Sequence, residues 1–581
     1  MSYGKSFKQK FKKAQEIKSA NGWRGILRRL EWIRLKRREA KNYQRWIRVN
    51  SLTDEKRNEI SVQIGNFLHK PLISVVMPVY NVEEKWLRIC IESVTNQIYE
   101  NWEFCIADDA SPAAHIKKVL EEYAAKDERI KIIFRPKNGH ISAASNSALE
   151  LATGEFCVLL DHDDELSEDA LFFIAKELNE FPETAMIYSD EDLIDEKGRR
   201  FSPKFKPDFS RDLLYSLNLI THLSAYKTKL LRKIGGFRIG AEGSQDYDLA
   251  LRVLEEIDEK QIRHIPKILY HWRAIRGSVA LSGDEKPYAH NRAREAISAH
   301  LERFGKRAEV VQTLYNLHRV RYILPEKLPK VSLILMTNSA EEIKNFIAQT
   351  DYENLEVIAV SELQITNYKL QILTENLAET LNFAAAKSSG EILCFAEANL
   401  KPLEKDWLKE LVSFVLQEEI GAVGAKILDA DESVLGGAFI VGTDEVISIS
   451  HKGFPRYESG NVLRNVMPSN FSAVSISAVC VRKNLFDEIG GFDAENLPKQ
   501  FFDSDFCLKL REKTYRIVNT PYAELIKTDK QKRLNFEENP NASEKDYFVK
   551  RWREKIEKDE FYNPNLSKKD ASFLIKVDDQ S

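Results

Sequence analysis

From Leu72 onward, short unbroken apolar runs alternate with stretches whose apolar residues recur at helical spacing. The unbroken runs are ISVVM (73–77), WEFCIA (102–107), IKIIF (130–134), FCVLL (156–160) and AMIY (185–188). Such runs read as strands covered on both faces. Between them, Trp86, Cys90 and Val94 share one helix face, as do Ile116, Val119, Leu120 and Tyr123. A small-residue helix, SAASNSALELA, precedes the central run. Leu171, Ile174, Ala175 and Leu178 follow it, with Ser167 as a candidate N-cap. The alternation predicts an α/β fold whose parallel sheet carries helices on its faces. Asn81, Asp109, Asn138 and the Asp161, Asp163, Asp164 cluster end successive elements and converge on one sheet edge. Ligands bind at that edge in such sheets. The acidic run Ser189 to Asp192 is expected to lead into a hairpin turning at Asp195–Gly198.

The pattern then recurs in weakened form. VSLILM (331–336) echoes ISVVM, YENLEVIAVSE echoes YENWEFCIADD, and GEILCFAEANL echoes GEFCVLLDHDD. EIGGFD echoes KIGGFR, and FFDSDFCLKL echoes SQDYDLALRV. A repeat of this length predicts two tandem copies of one fold. Acidic residues are lost from the second: Asp109 becomes Glu362, Asp161 becomes Glu397, Asp163 becomes Asn399 and Asp164 becomes Leu400. Asp503 and Asp505 persist opposite Asp246 and Asp248. The expected units are a basic arm (1–48), a connector (49–70), a first domain (71–325), a degenerate second domain (330–535) and a helical tail (536–581).

Composition refines this picture at the N-terminus. Residues 1–48 hold 16 Lys and Arg against three acids, a net charge of +13, leaving −16 on the remainder of a chain whose total is −3. Trp23, Trp32 and Trp46 are interleaved with these cations. An amphipathic helix lying on an anionic membrane is therefore favoured over nucleic-acid binding or docking on the acidic body. The six cysteines are scattered, with no CxxC pair, and read as buried thiols. No apolar run is long enough to span a bilayer and no signal-peptide core opens the chain, so a cytosolic protein is expected.

The stretch Gly154 to Leu171 carries the chemistry. Three carboxylates crowded between a strand end and a helix repel one another unless a cation screens them. Oxygen ligands of this kind suit Mg²⁺ or Mn²⁺, with the cation gripping a phosphate. Asp246 opens a helix, where the helix dipole also favours a carboxylate.

PVYN (78–81), Asp108–Asp109 before Ala-Ser, Asn138–Gly139 with Ala-x-x-Asn, LLDHDDEL and QDYDL occur in one order. Together they resemble family 2 glycosyltransferases of the GT-A fold. The tandem arrangement, YHWRAIRGS and the YNPNLS tail resemble bacterial O-antigen and capsule transferases, rhamnosyltransferases among them. The resemblance implies that Pro78, Val79, Tyr80, Asn81 and Glu83 line the nucleotide pocket with Asp108, Asn138, Gly139 and Asn146. It implies that Asp109 binds the pyrimidine, Asp161 the ribose side and the metal site, and Asp163 the Mn²⁺ or Mg²⁺, with His271 nearby. Asp246 would be the general base. The donor would be a UDP- or dTDP-sugar and the acceptor a glycan, in a lipid-linked form, at the inner membrane face. Gln245 and Ser145 depart from the family pattern, and the QxxRW of processive synthases is missing. A sugar nucleotidyltransferase would open with a Gly-rich phosphate loop, which PVYN is not. A non-catalytic glycan-binding scaffold fits the second copy but not the acid set of the first.

Overall fold

The computed structural model describes residues 34–275, 287–337, 339–361, 369–372, 374–443, 446–528, 541–569 and 571–577. Arm residues Trp23 and Trp32, residues 276–286 and Glu362 lie outside the described residues.

The predicted apolar runs are the centre of a mixed sheet. Its strand order is Ile130–Phe134, Trp102–Asp108, Ile73–Val79, Phe156–Leu159, Ser224–Lys227, Met186–Ile194, Ile262–Arg273 and Glu165–Leu166. The first four are mutually parallel, whereas Ser224–Lys227 runs antiparallel to both of its neighbours. Helix Glu84–Thr95 shows why the chain folds this way. Trp86, Leu87, Cys90, Ile91 and Val94 fall on one side and are buried against the sheet. Ser167 is not the cap of the following helix, which begins at Ala170 with Asp169 at its N-cap; the Ser167 hydroxyl bonds Asp169 instead.

A second sheet repeats this order strand for strand: Lys369–Ile372, Leu355–Ser361, Val331–Met336, Ile392–Glu397, Ala478–Arg482, Ile420–Leu428, Arg516–Lys527 and Leu400–Pro402. The largest apolar core runs through both halves, joining Leu213, Leu214 and Tyr322 to Leu411, Phe414 and Met467. Buried polar bonds cross the same joint. Asn470 donates to Asp212 Oδ2 at 2.7 Å and accepts from the Ser210 hydroxyl at 3.0 Å, while Arg516 donates to Asp212 at 3.0 Å.

Within residues 49–70, Asp54–Asn66 is a helix capped by Thr53. One expectation about the N-terminal arm needs correction. Trp46 does not face a membrane. Its ring packs edge-on against Phe205 and its Nε1–H donates to Asn565 in the tail at 3.2 Å. The helix bearing it spans 34–50 and joins a small core built from the first half, the second half and the tail. All six cysteines are free and buried, as expected.

Candidate active site

The acidic turn follows strand Phe156–Leu159, and its three aspartates have different surroundings. Asp164 is buried, and both its oxygens accept hydrogen bonds, from the Tyr270 hydroxyl at 2.6 Å and from Arg273 N at 2.7 Å. Burial, reinforced by the charges of Asp163 and Asp161, raises this carboxyl well above its ordinary range. Arg273 braces the turn as well. It donates to the Asp163 carbonyl at 2.7 Å, pairs with Glu165 and lies over the Trp86 ring. Asp161 remains half-exposed, yet the surrounding protein raises its carboxyl, with the charges of Asp163 and Asp246 adding to the effect. Asp163 leans toward His162, 3.5 Å away.

Asp161 lines a cleft of about 440 Å³ whose wall includes Pro78, Ser145, His222, Gln245, Asp246 and Tyr270. The sheet edge therefore brings the acidic turn and Asp246 to one space. Asp246 sits in the first turn of helix Gln245–Leu254. Its Oδ2 accepts from Asn218 at 2.9 Å and Thr221 at 2.7 Å, and no donor among the described residues reaches Oδ1. One oxygen is thus fixed and the other is left able to accept a proton. Asp248, two residues on, is buried between Arg238 and Arg252 and serves packing.

Asp161, Asp164 and His222 each bring one ligand atom within 4.8 Å of the others. This grouping differs from the expected set of Asp161, Asp163 and His271. His271 is drawn to Asp192, its Nδ1 lying 2.6 Å from Oδ1. Asp164 is a poor ligand despite its position, since it is 1% exposed and burial favours its uncharged form. His222 was missed in the sequence. It precedes the strand Ser224–Lys227, and its ring stacks on Tyr270 4.6 Å away. Its Nδ1 is buried 3.4 Å from Glu191 Oε2, and its Nε2 lies 4.0 Å from Asp161 Oδ2. Half-exposed carboxylate oxygens beside imidazole nitrogens fit Mn²⁺, and less well Mg²⁺, which favours an all-oxygen shell.

The expected donor-binding residues have different surroundings. Pro78 and Asp161 line the cleft, while Tyr80, Asn81, Glu83 and Asn138 are exposed. Asp109 is buried. It accepts from Arg135 Nε at 2.8 Å and from Gly139 N at 2.9 Å. A Cβ at Gly139 would meet Arg135 Nη2 at 2.6 Å and Ala143 Cβ at 2.9 Å, so a larger residue would displace the Arg135 head. The remaining three serve the fold. Val79 is core, and Asp108 accepts from Ser111 N to close the turn. Asn146 uses both ends of its amide on the backbone of Phe237, at 2.8 and 2.7 Å, which fixes its orientation within the fold.

Residues 74–235 match the family model described as glycosyl transferase family 2. The protein y4gI of Sinorhizobium fredii is 37% identical over 545 residues, covering 89% of this chain and 60% of that protein. The O-antigen biosynthesis protein RfbC of Myxococcus xanthus is 32% identical over 487 residues, covering 80% of this chain and 38% of that one. The chain thus spans less than two thirds of the length of either relative. WcaA of Escherichia coli K12, named for colanic acid biosynthesis, is 31% identical over 199 residues, covering 33% of this chain and 69% of that one. With the acidic turn and His222 inside the matched segment, the chain belongs to glycosyl transferase family 2 and has a GT-A fold.

Proposed function

We propose that the first half, residues 71–325, moves a sugar from a nucleotide-diphosphate donor, UDP- or dTDP-linked, to a hydroxyl of a growing bacterial surface polysaccharide. The observation that carries this reading is the cleft that Asp246 shares with Asp161, with one oxygen of Asp246 held and the other open. The acceptor oxygen attacks the anomeric carbon, the bond to the diphosphate breaks, and the hydroxyl proton passes to Asp246 Oδ1. One base acting in one displacement inverts the anomeric centre. Asn218 and Thr221 hold the carboxylate in place for that transfer.

Asp161 and Asp163, flanked by His222 and His271, would hold a Mn²⁺ or Mg²⁺. A bound cation supplies Lewis-acid neutralisation of the departing diphosphate. Asp109, paired with Arg135 and Gly139 N, would present a fixed edge to the pyrimidine. The second half, 330–535, is a degenerate copy without turnover, and 536–581 is the tail that straps it to the first. The names of RfbC and WcaA support a polysaccharide acceptor, and a lipid-linked form accords with the basic N-terminus. Residues 1–33 still carry nine Lys and Arg against two acids, enough to hold the enzyme on an anionic inner membrane face. No helix of the described residues is long and apolar enough to cross a membrane.

A panel of UDP-, dTDP- and GDP-sugars with Mn²⁺, read by nucleotide release, tests the donor assignment. Turnover with one donor that stops in EDTA or in Asp163→Asn is expected. Full activity under either condition would remove the metal from the account. Sedimentation with anionic liposomes tests the arm, since binding should weaken with salt and disappear when 1–33 are deleted.

A further inference from the structure

Strand Met186–Ile194 carries three consecutive carboxylates, Asp190, Glu191 and Asp192, each at most 1% exposed. Buried charges this close are tolerable only with dedicated partners, and each has its own. Asp190 takes His264 Nε2 at 3.0 Å and the tail amide of Asn563 at 2.9 Å. Glu191 takes Lys204, Lys206 and the backbone N–H of His222. Asp192 takes His271 Nδ1 and Arg200 Nε, both at 2.6 Å, and the hydroxyl of Tyr43. The acidic run that reads in sequence as the approach to a hairpin is therefore a hub. It ties the tail, His222 and His271 to one strand.

Tyr43 is the unexpected member. It lies on helix 34–50, outside the sheet and its helices, and is 1% exposed. Asp192 and His271 are register partners on adjacent strands, and His271 is also the register partner of Glu165, at the end of the acidic turn. With Nδ1 held by Asp192, His271 turns Nε2 away from that carboxylate, and no partner among the described residues takes that nitrogen. The ring's aim is set by Asp192, and the setting of Asp192 by Arg200 on one side and Tyr43 on the other.

We propose that Tyr43 is a positioning residue for the transferase site: through Asp192 it fixes the imidazole of His271 toward the donor's diphosphate and its cation. The inference rests on the reading of His271 as a flanking group of that cation. Removing the hydroxyl alone isolates the effect, because docking of the arm has other support. The Tyr43 ring stacks on Trp46 at 5.8 Å, and Trp46 packs on Phe205 at 5.3 Å.

The test is Mn²⁺ binding to the full chain, followed by electron paramagnetic resonance of free Mn²⁺. The nucleotide diphosphate used is whichever of UDP, dTDP and GDP the wild type binds best. Losing a group that holds a ligand directly in place costs roughly 10–100-fold in metal affinity, so Tyr43→Phe, one bond further out, should cost about 3–10-fold. Transfer should recover at saturating Mn²⁺, and the melting temperature should barely move. Trp46→Phe, which loses the bond to Asn565 but keeps the hydroxyl, should bind Mn²⁺ as the wild type does. Wild-type affinity in Tyr43→Phe, alongside a loss in His271→Ala, would overturn the role of Tyr43 and leave the site reading standing. Wild-type affinity in His271→Ala would overturn both.

Discussion

The two halves share a strand order but differ in what they kept. The polar staples of the fold are the same in each. Ser74 donates to Glu103 at 2.6 Å and accepts from Gly154 N at 2.9 Å; Ser332 donates to Glu356 at 2.6 Å and accepts from Gly390 N at 2.9 Å. Tyr99 and Tyr352 each donate to a proline carbonyl at 2.8 Å. Asn146 grips the backbone of Phe237 as Asn382 grips that of Phe492. The edge groups, by contrast, have been replaced. Phe156 pairs with Lys227 and Ile392 with Arg482, so His222 and Ser477, five residues back, occupy the same place. Half-exposed Asp161 faces His222 in the first half, whereas buried Glu397 accepts from Ser477 at 2.5 Å in the second. Asp503 is partly buried beside Phe395, Phe492 and Phe506 and accepts from Ile476 N at 3.1 Å, and desolvation raises its carboxyl. Staples survive because both folds need them. The proposed function gives the edge groups a ligand as their partner, and the second half is the proposed copy without one.

The largest expected contrast is between two aspartates at matching helix starts. Asp246→Asn should lower transfer by about 10²–10⁴-fold, the usual cost of an acid–base group, while nucleotide affinity holds. Asp503→Asn should leave transfer intact. A linkage that disappears only in Asp503→Asn would mean that the second half works and that the comparison fails.

The staples should behave in the opposite way, with equal cost in each half. Burial opposes the charge of Glu103, but Lys131, Ser74 and Thr153 outweigh it and hold the carboxyl down to about 2. A folded value below the unfolded one gives stability that is present above about 4.5 and lost as pH falls toward 2. The shift is worth on the order of 3 kcal/mol. Glu103→Gln and Glu356→Gln should each lower urea stability at pH 7, and Glu103→Gln should flatten the acid limb of the stability profile. An unchanged acid limb would show that Glu103 does not titrate as described. Smaller still, Asn146→Ala and Asn382→Ala should each cost about 1–3 kcal/mol for the backbone groups left unpaired. Loss of nucleotide affinity in Asn146→Ala at unchanged stability would restore Asn146 to the donor site.

Periodicity made the sheet, the repeat and the shared edge legible, because buried strands and helix faces leave their spacing in sequence. The acidic turn and Asp246 were legible as carboxylates at strand and helix ends. What stayed hidden was which polar end faces a ligand and which faces backbone. Asn146 and Asp161 both read in sequence as polar groups at element ends, and only the turn at Gly236–Phe237 shows that Asn146 is held to the backbone. His222 is a lone histidine before a buried strand, detectable only by setting it against Ser477. Trp46 suggested a lipid surface because a tryptophan among cations suits either a membrane or an interdomain joint, and the joint took it.

The most direct test is the stoichiometry of Mn²⁺ bound with nucleotide diphosphate. The wild-type chain should bind one equivalent, Asp163→Asn none at the same concentration, and Asn399→Ala one, as the wild type does. Two equivalents in the wild type, or binding that survives Asp163→Asn and is lost in Asn399→Ala, would contradict the claim that only the first half carries the chemistry.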